Sequence, residues 1–129
     1  GWNVLICNGP PELGGLLPPF FRKAGHAAVV RGEIMPYADH FPFVATGVPS
    51  TTLIRENCVT GRFFHHRSDD ELGKVSIPLM TEILGAVTDC VADLCSCEGL
   101  PFPHVIPKAQ RDQVEVFWED LFGGWSWHA

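Results

Sequence analysis

The hydrophobic and polar positions divide this chain into short apolar runs and longer amphipathic stretches. Residues 4–7 (Val4, Leu5, Ile6, Cys7) form a continuous apolar run closed by Asn8-Gly9-Pro10-Pro11, which predicts a buried strand ending in a turn. Over residues 12–24, Leu13, Leu16, Leu17, Phe20 and Phe21 are spaced for one helix face. Pro18-Pro19 is expected to break or restart that helix, because proline lacks the amide donor and its ring collides with the preceding turn. Gly25 supplies a stop, and Ala27-Ala28-Val29-Val30 reads as a second strand. Asp39 is placed to cap a short helix whose Phe43 and Val44 face inward before Gly47 ends it. Residues 48–54 predict a third strand.

Residues 55–70 are polar and irregular, with Gly61 in the middle and Phe63-Phe64-His65-His66 near the end, and predict a long loop. Ser76 can cap the most strongly marked helix, in which Ile77, Met80, Leu84, Val87, Val91 and Leu94 recur at steps of three and four until Gly99. Pro101-Phe102-Pro103 forms a rigid connector. Pro107 opens a last helix with Val114, Phe117, Trp118 and Leu121 as its apolar stripe before Gly123-Gly124, and the tail Trp125-Ser126-Trp127-His128 is aromatic. Strands separated by helices predict an α/β fold, a three-layer α/β/α arrangement with a partial sheet of about three strands, as a single domain over residues 1–129. So narrow a sheet is expected to gain strands from further sequence or from another chain.

Composition narrows the function classes. At 129 residues and 46% hydrophobic, the chain is sized for one packed core. A net charge of −6, with nine Lys and Arg scattered along the chain, argues against nucleic acid as a partner. The apolar runs stop short of the roughly 18 residues that span a bilayer, so no membrane segment is expected. Five cysteines are an odd number without the framework of small secreted domains. They read as reduced thiols, which suits a cytoplasmic setting. The chain starts at Gly1 and runs directly into a strand-like segment, with no initiator Met. The expectation from that opening is a fragment, a processed product or one half of a larger fold.

The densest chemistry lies at Phe63-Phe64-His65-His66-Arg67-Ser68-Asp69-Asp70-Glu71. Imidazole and carboxylate groups are the usual ligands and supporting partners of zinc, although the same composition also suits a solvated polar loop. Asp39-His40, flanked by Tyr37, Phe41 and Phe43, can bind a substrate amine or orient another ligand; equally, Asp39 can be a helix cap alone. Cys90-x4-Cys95-x-Cys97 lacks the C-x2-C spacing of structural zinc and reads as small packed thiols. Cys58 is a candidate nucleophile beside His65, without a surrounding thiol-enzyme signature. The turn at Asn8-Gly9 has neither the glycine pattern nor the lysine of a phosphate loop.

Taken in order, Ala38-Asp39-His40-Phe41-Pro42-Phe43, then Gly47-Val48-Pro49-Ser50, then His66-x3-Asp70-Glu71-Leu72-x-Lys74-Val75 resemble the closing part of clan MH zinc metallopeptidases. These are peptidases of the bacterial leucyl aminopeptidase or aminopeptidase Y type, related to glutaminyl cyclase. In that family S-D-H-x-x-F leads to a G-[IV]-P-[AS] strand, and an H-T-x-x-D-T-x-[DE]-K-[VI] loop precedes a long helix. The resemblance covers about residues 36–94. It implies that His66, selected over His65 by alignment on Asp70 and Lys74, is a terminal ligand of a two-zinc centre. It further implies that Asp39 and His40 stand on the substrate side or support the ligands, and that Asp70 closes the histidine loop.

The departures are Ala38 for serine, Arg67 for threonine and Glu71 for a second threonine. The family's upstream H-x-D, Glu-Glu pair and further acidic ligand have no counterpart between Gly1 and Met35, where the carboxylates are Glu12 and Glu33. In a complete enzyme two zinc ions activate a bridging water and a glutamate acts as general base. That glutamate belongs to the absent pair, so no catalytic residue is assigned. The resemblance implies the C-terminal portion of a zinc-dependent aminopeptidase that removes N-terminal residues from peptides when completed by a missing N-terminal part or partner chain, and is inactive alone. The alternatives are a non-catalytic peptidase-like interaction domain that uses its aromatic tail, and a glutaminyl cyclase-like acyltransferase with a single zinc.

Overall fold

The apolar run at the start of the chain becomes β1 (Trp2–Asn8), the central strand of a three-stranded mixed sheet ordered β2-β1-β3 in the computed structural model, which describes residues 1–123. Val4, Leu5 and Ile6 are all fully buried. A strand covered on both faces needs apolar side chains at successive positions, which is why the run does not alternate. β2 (Ala28–Arg31) lies parallel to β1, from Asn3↔Ala28 to Ile6↔Arg31. β3 (Ser50–Glu56) lies antiparallel on the other side, from Trp2↔Glu56 to Asn8↔Ser50. The period of two in a strand then places Leu5, Cys7 and Leu53 on one face and Val4, Ile6 and Ile54 on the other.

The Leu5 face packs on two helices, α1 (Pro11–Lys23) and α4 (Ile77–Ser96). Leu5, Cys7, Phe21 and Ala86 form that core, with Leu17, Phe20, Leu53, Ile83 and Val87 around it. Lys23 of α1 reaches Asp89 at 3.7 Å, and His26 in the turn after α1 meets Glu82 at 3.0 Å, tying this part of the chain to α4 at the surface. A second core gathers Ile34, Phe41, Val44, Ile106 and Val114 between α2 (Phe41–Ala45) and α5 (Lys108–Phe122). There the Phe41 and Trp118 rings stack with centroids 5.8 Å apart. Gln110 of α5 closes the end of β1, accepting from the Gly9 amide at 2.9 Å and donating to the Gly32 carbonyl at 3.1 Å.

Several elements differ from their sequence expectation. α1 continues through Pro18 and Pro19 instead of restarting there. A proline inside a helix costs about 3 kcal/mol. Burial of Leu13 and Phe21 on either side of the pair, worth about 1.5–3 kcal/mol each, offsets much of that, and Leu17 and Phe20 add to the same core. Asp39 does not cap α2: His40 holds the N-cap position, and no side chain caps the helix. Phe41 is buried with Val44, while Phe43 faces outward. The expected long loop contains the end of β3 and a short helix, α3 (Val59–Phe63). Ser76 sits at the N-cap of α4 without a side-chain bond, and Cys97 ends the helix.

The apolar stripe read on α4 meets the core at Val87, while most of it faces outward. Ala86 and Cys90 are buried, with Ile83 and Val87 beside the core, whereas Ile77, Met80, Leu84 and Val91 are 50%, 52%, 60% and 51% exposed. α4 is apolar around most of its circumference, so a three-four periodicity fits more than one face. Small residues at 86 and 90 let the helix approach α1 and the sheet closely, and they decide the packing. No helix among the described residues is long and apolar enough to cross a membrane. The aromatic tail beyond Gly124 lies outside the described residues.

Candidate functional site

The Val4 face of the sheet carries an open cleft of about 1290 Å³. Trp2, Thr52, Ile54 and Glu56 contribute from the sheet; Met35, Tyr37 and Asp39 from the segment leading to α2; Cys58, Arg62, His65 and His66 from α3 and the turn after it. Cys58 shapes this last wall. Its sulfur accepts from the Gly61 amide at 3.3 Å as the N-cap of α3 and donates to the Arg55 carbonyl at 3.4 Å. Successive turns follow, with Arg67 donating its amide to Phe64 and Asp70 to Arg67. The Thr60 hydroxyl donates to the Lys74 carbonyl at 2.9 Å, and the Lys74 ammonium stands 4.9 Å from the Phe64 ring centroid. These contacts fold the histidine segment back on α3.

His66 adopts a left-handed backbone, with φ of 60°. That region is sparsely populated by residues other than glycine and costs of order 1–3 kcal/mol, so surrounding structure must hold it. Its ring lies against that of His65, centroids 3.9 Å apart at 55°. Both histidines are exposed and both line the cleft. The structure therefore brings His66 and Asp39 to the same cleft. It does not bring His40 or Asp70 there.

His40, next to Asp39 in the chain, turns into the interior. It is 7% exposed, and its Nε2 lies 2.9 Å from Asn8 Oδ1. Asn8 donates through Nδ2 to the carbonyls of Gly32 and Glu33, at 3.3 and 3.1 Å. Asn8 Oδ1 is thus an acceptor, and the network assigns the proton of His40 to Nε2. Nδ1 is buried without a hydrogen-bond partner among the described residues. Burial lowers the pKa of His40 from its ordinary value, since a charged ring here would be poorly solvated. Asp70 is exposed, and the carboxylate that pairs within its turn is Asp69, which accepts from Arg67 Nε at 3.1 Å.

On the sheet, Arg31 donates to both oxygens of Glu56, at 2.7 and 2.9 Å, and Trp2 Nε1 donates at 3.3 Å. The hydrogen bond from Arg31 holds the Glu56 carboxyl below its usual range, and the same bond raises Arg31. Neither residue stands out in the sequence, because their pairing depends on strand order. Asn8 had one legible signal: it is a polar residue directly continuing a buried apolar run, on the strand face of Val4 and Ile6.

Catalytic zinc takes three protein ligands and a water. Among the described residues no group of three or more His, Cys, Asp or Glu side chains is placed to hold a metal ion. His66 and Asp39 alone therefore do not fit a catalytic zinc. All five cysteines are free, as the odd count suggested. Compared with known protein families, curated proteins and solved structures, the chain matches none of them.

Proposed function

We propose that this chain is the C-terminal portion of a zinc-dependent aminopeptidase-like protein, contributing the peptide-facing wall of a site completed from outside it. The observation that carries this reading is the shared cleft of His66 and Asp39, residues far apart in the chain that the resemblance assigns to one site. In this reading His66 offers a single imidazole, and Asp39 is placed to receive the amino group of a peptide. The remaining ligands and the general base lie outside the chain. The helices α1 and α4 on one sheet face, with α2 and α5 forming the second core, support a three-layer arrangement.

The coding frame upstream of Gly1 tests the proposal. It is expected to encode H-x-D and then Glu-Glu, and joining that segment to this chain is expected to give aminoacyl-amide hydrolysis that His66→Ala abolishes. A frame without those motifs, or hydrolysis indifferent to His66→Ala, sinks the reading. A second reading, a non-catalytic interaction domain, is favoured by the exposed apolar side chains of α4 at Ile77, Met80, Leu84 and Val91, a kind of surface that marks interaction sites. Zinc-independent binding of a protein partner, lost in Leu84→Lys, is its expected signature.

A further inference from the structure

Three ionisable groups around the cleft, Glu56, Arg55 and Cys58, are already engaged. Both oxygens of Glu56 are held by Arg31. Arg55 belongs to the opposite face of the sheet, where its guanidinium donates to Asn3 Oδ1 at 2.8 Å and to the Gly1 carbonyl at 3.1 Å. What remains is Tyr37 and Asp39 on the segment before α2, and Arg62, His65 and His66 on α3 and its turn, where Arg62 brings the guanidinium. Arg62 is exposed and forms no ion pair among the described residues. Trp2, Met35 and Ile54 add apolar surface to the same cleft.

An unpaired guanidinium is the side chain best matched to a carboxylate, because its planar fork can donate two parallel hydrogen bonds. On a chain of net charge −6, a guanidinium outside any ion pair is also a departure from the general field and can draw an anionic group to this one place. At about 1290 Å³ the cleft exceeds the roughly 300–1,000 Å³ of ordinary small-molecule pockets and has room for an extended chain.

We infer that the cleft takes a peptide bearing a carboxylate, with that carboxylate on Arg62 beside His65 and the amino terminus toward Asp39. The inference rests on the peptide-site reading above and adds the charge of the ligand. The carboxylate can belong to an acidic side chain or to the C-terminus of a short peptide.

The test is titration calorimetry of the full chain with Ala-Gln-Phe-amide, Ala-Glu-Phe-amide, Ala-Gln-Phe with a free C-terminus, and inorganic phosphate. At least one carboxylate peptide is expected to bind about tenfold more tightly than the neutral amide, the scale of one charge-assisted contact. Which of them gains identifies the carboxylate. Arg62→Gln is expected to remove the gain, bringing the carboxylate peptide to the affinity of the neutral amide measured on the same variant; as Arg62 is exposed, circular dichroism should confirm an intact fold. Equal affinities for all three peptides, or a gain that survives in Arg62→Gln, overturns the inference while leaving a peptide site standing. Phosphate competing as well as the peptides overturns the peptide assignment, and binding by none of the peptides overturns both readings.

Discussion

His40 and Asn8 are joined by a buried 2.9 Å hydrogen bond between Nε2 and Oδ1, which fixes the start of α2 against the end of β1. Asn8 also holds the carbonyls of Gly32 and Glu33, so one side chain ties three segments together. Asn8→Ala leaves those groups without their donor or acceptor in the interior. A buried polar group left unsatisfied costs about 1–3 kcal/mol, and the variant is expected to lose at least about 2 kcal/mol in urea denaturation. A loss below about 0.5 kcal/mol, the usual range of surface substitutions, would contradict the network.

The same pair sets a pH dependence. The folded-state pKa of His40 lies below its ordinary 6.5, so the unfolded chain takes up a proton first as pH falls. The contribution is therefore intact above pH 6.5 and declines as pH drops from 6.5 through the lowered folded value. Chemical denaturation at a series of pH values between 8 and 5 should show this slope, and His40→Gln should flatten it. Glu56 acts in a separate window: its lowered pKa gives stability present above its ordinary 4.5 and lost as pH falls through the folded value.

Thiol reactivity should divide the cysteines by position. Burial pushes the Cys7 and Cys90 thiols up, disfavouring thiolate, while Cys95 and Cys97 are exposed. Iodoacetamide labelling followed by peptide mass mapping is expected to modify Cys95 and Cys97 in the native protein well before Cys7 and Cys90. Early labelling of Cys7 would contradict the packing of β1 on α1.

The two sides of α4 should respond oppositely to substitution. Leu84→Ser changes an exposed side chain and is expected to alter stability by no more than about 0.5 kcal/mol. Ala86→Leu forces extra volume against Phe21 and Leu5 and is expected to cost about 1–3 kcal/mol. Thermal or urea unfolding of the two variants decides between the packing seen here and the stripe read from periodicity.

That contrast shows where the sequence was legible. β1 could be read because a strand buried on both faces advertises itself as an unbroken apolar run. α4 could be found but not oriented, since its periodicity was shared by several faces and small residues at 86 and 90 determined contact. Pro18 predicts a break in α1 because its local cost is visible in sequence, whereas the compensating burial of Phe21 is not. Within the candidate site, His66 and Asp39 were marked by the order of motifs, and the cleft does bring them together. Their neighbours Asn8, Arg31, Glu56 and Arg62 acquire their roles only from strand pairing and chain return, which no local pattern encodes.

Zinc titration followed through the histidine ring signals in NMR tests whether His66 lines a site that is completed from outside this chain. His66 is expected to respond before His26 and His104, with an affinity weaker than about 1 µM because its coordinating companions are absent. A His66 signal that stays still while other histidines move, or tight stoichiometric binding by this chain alone, would contradict it.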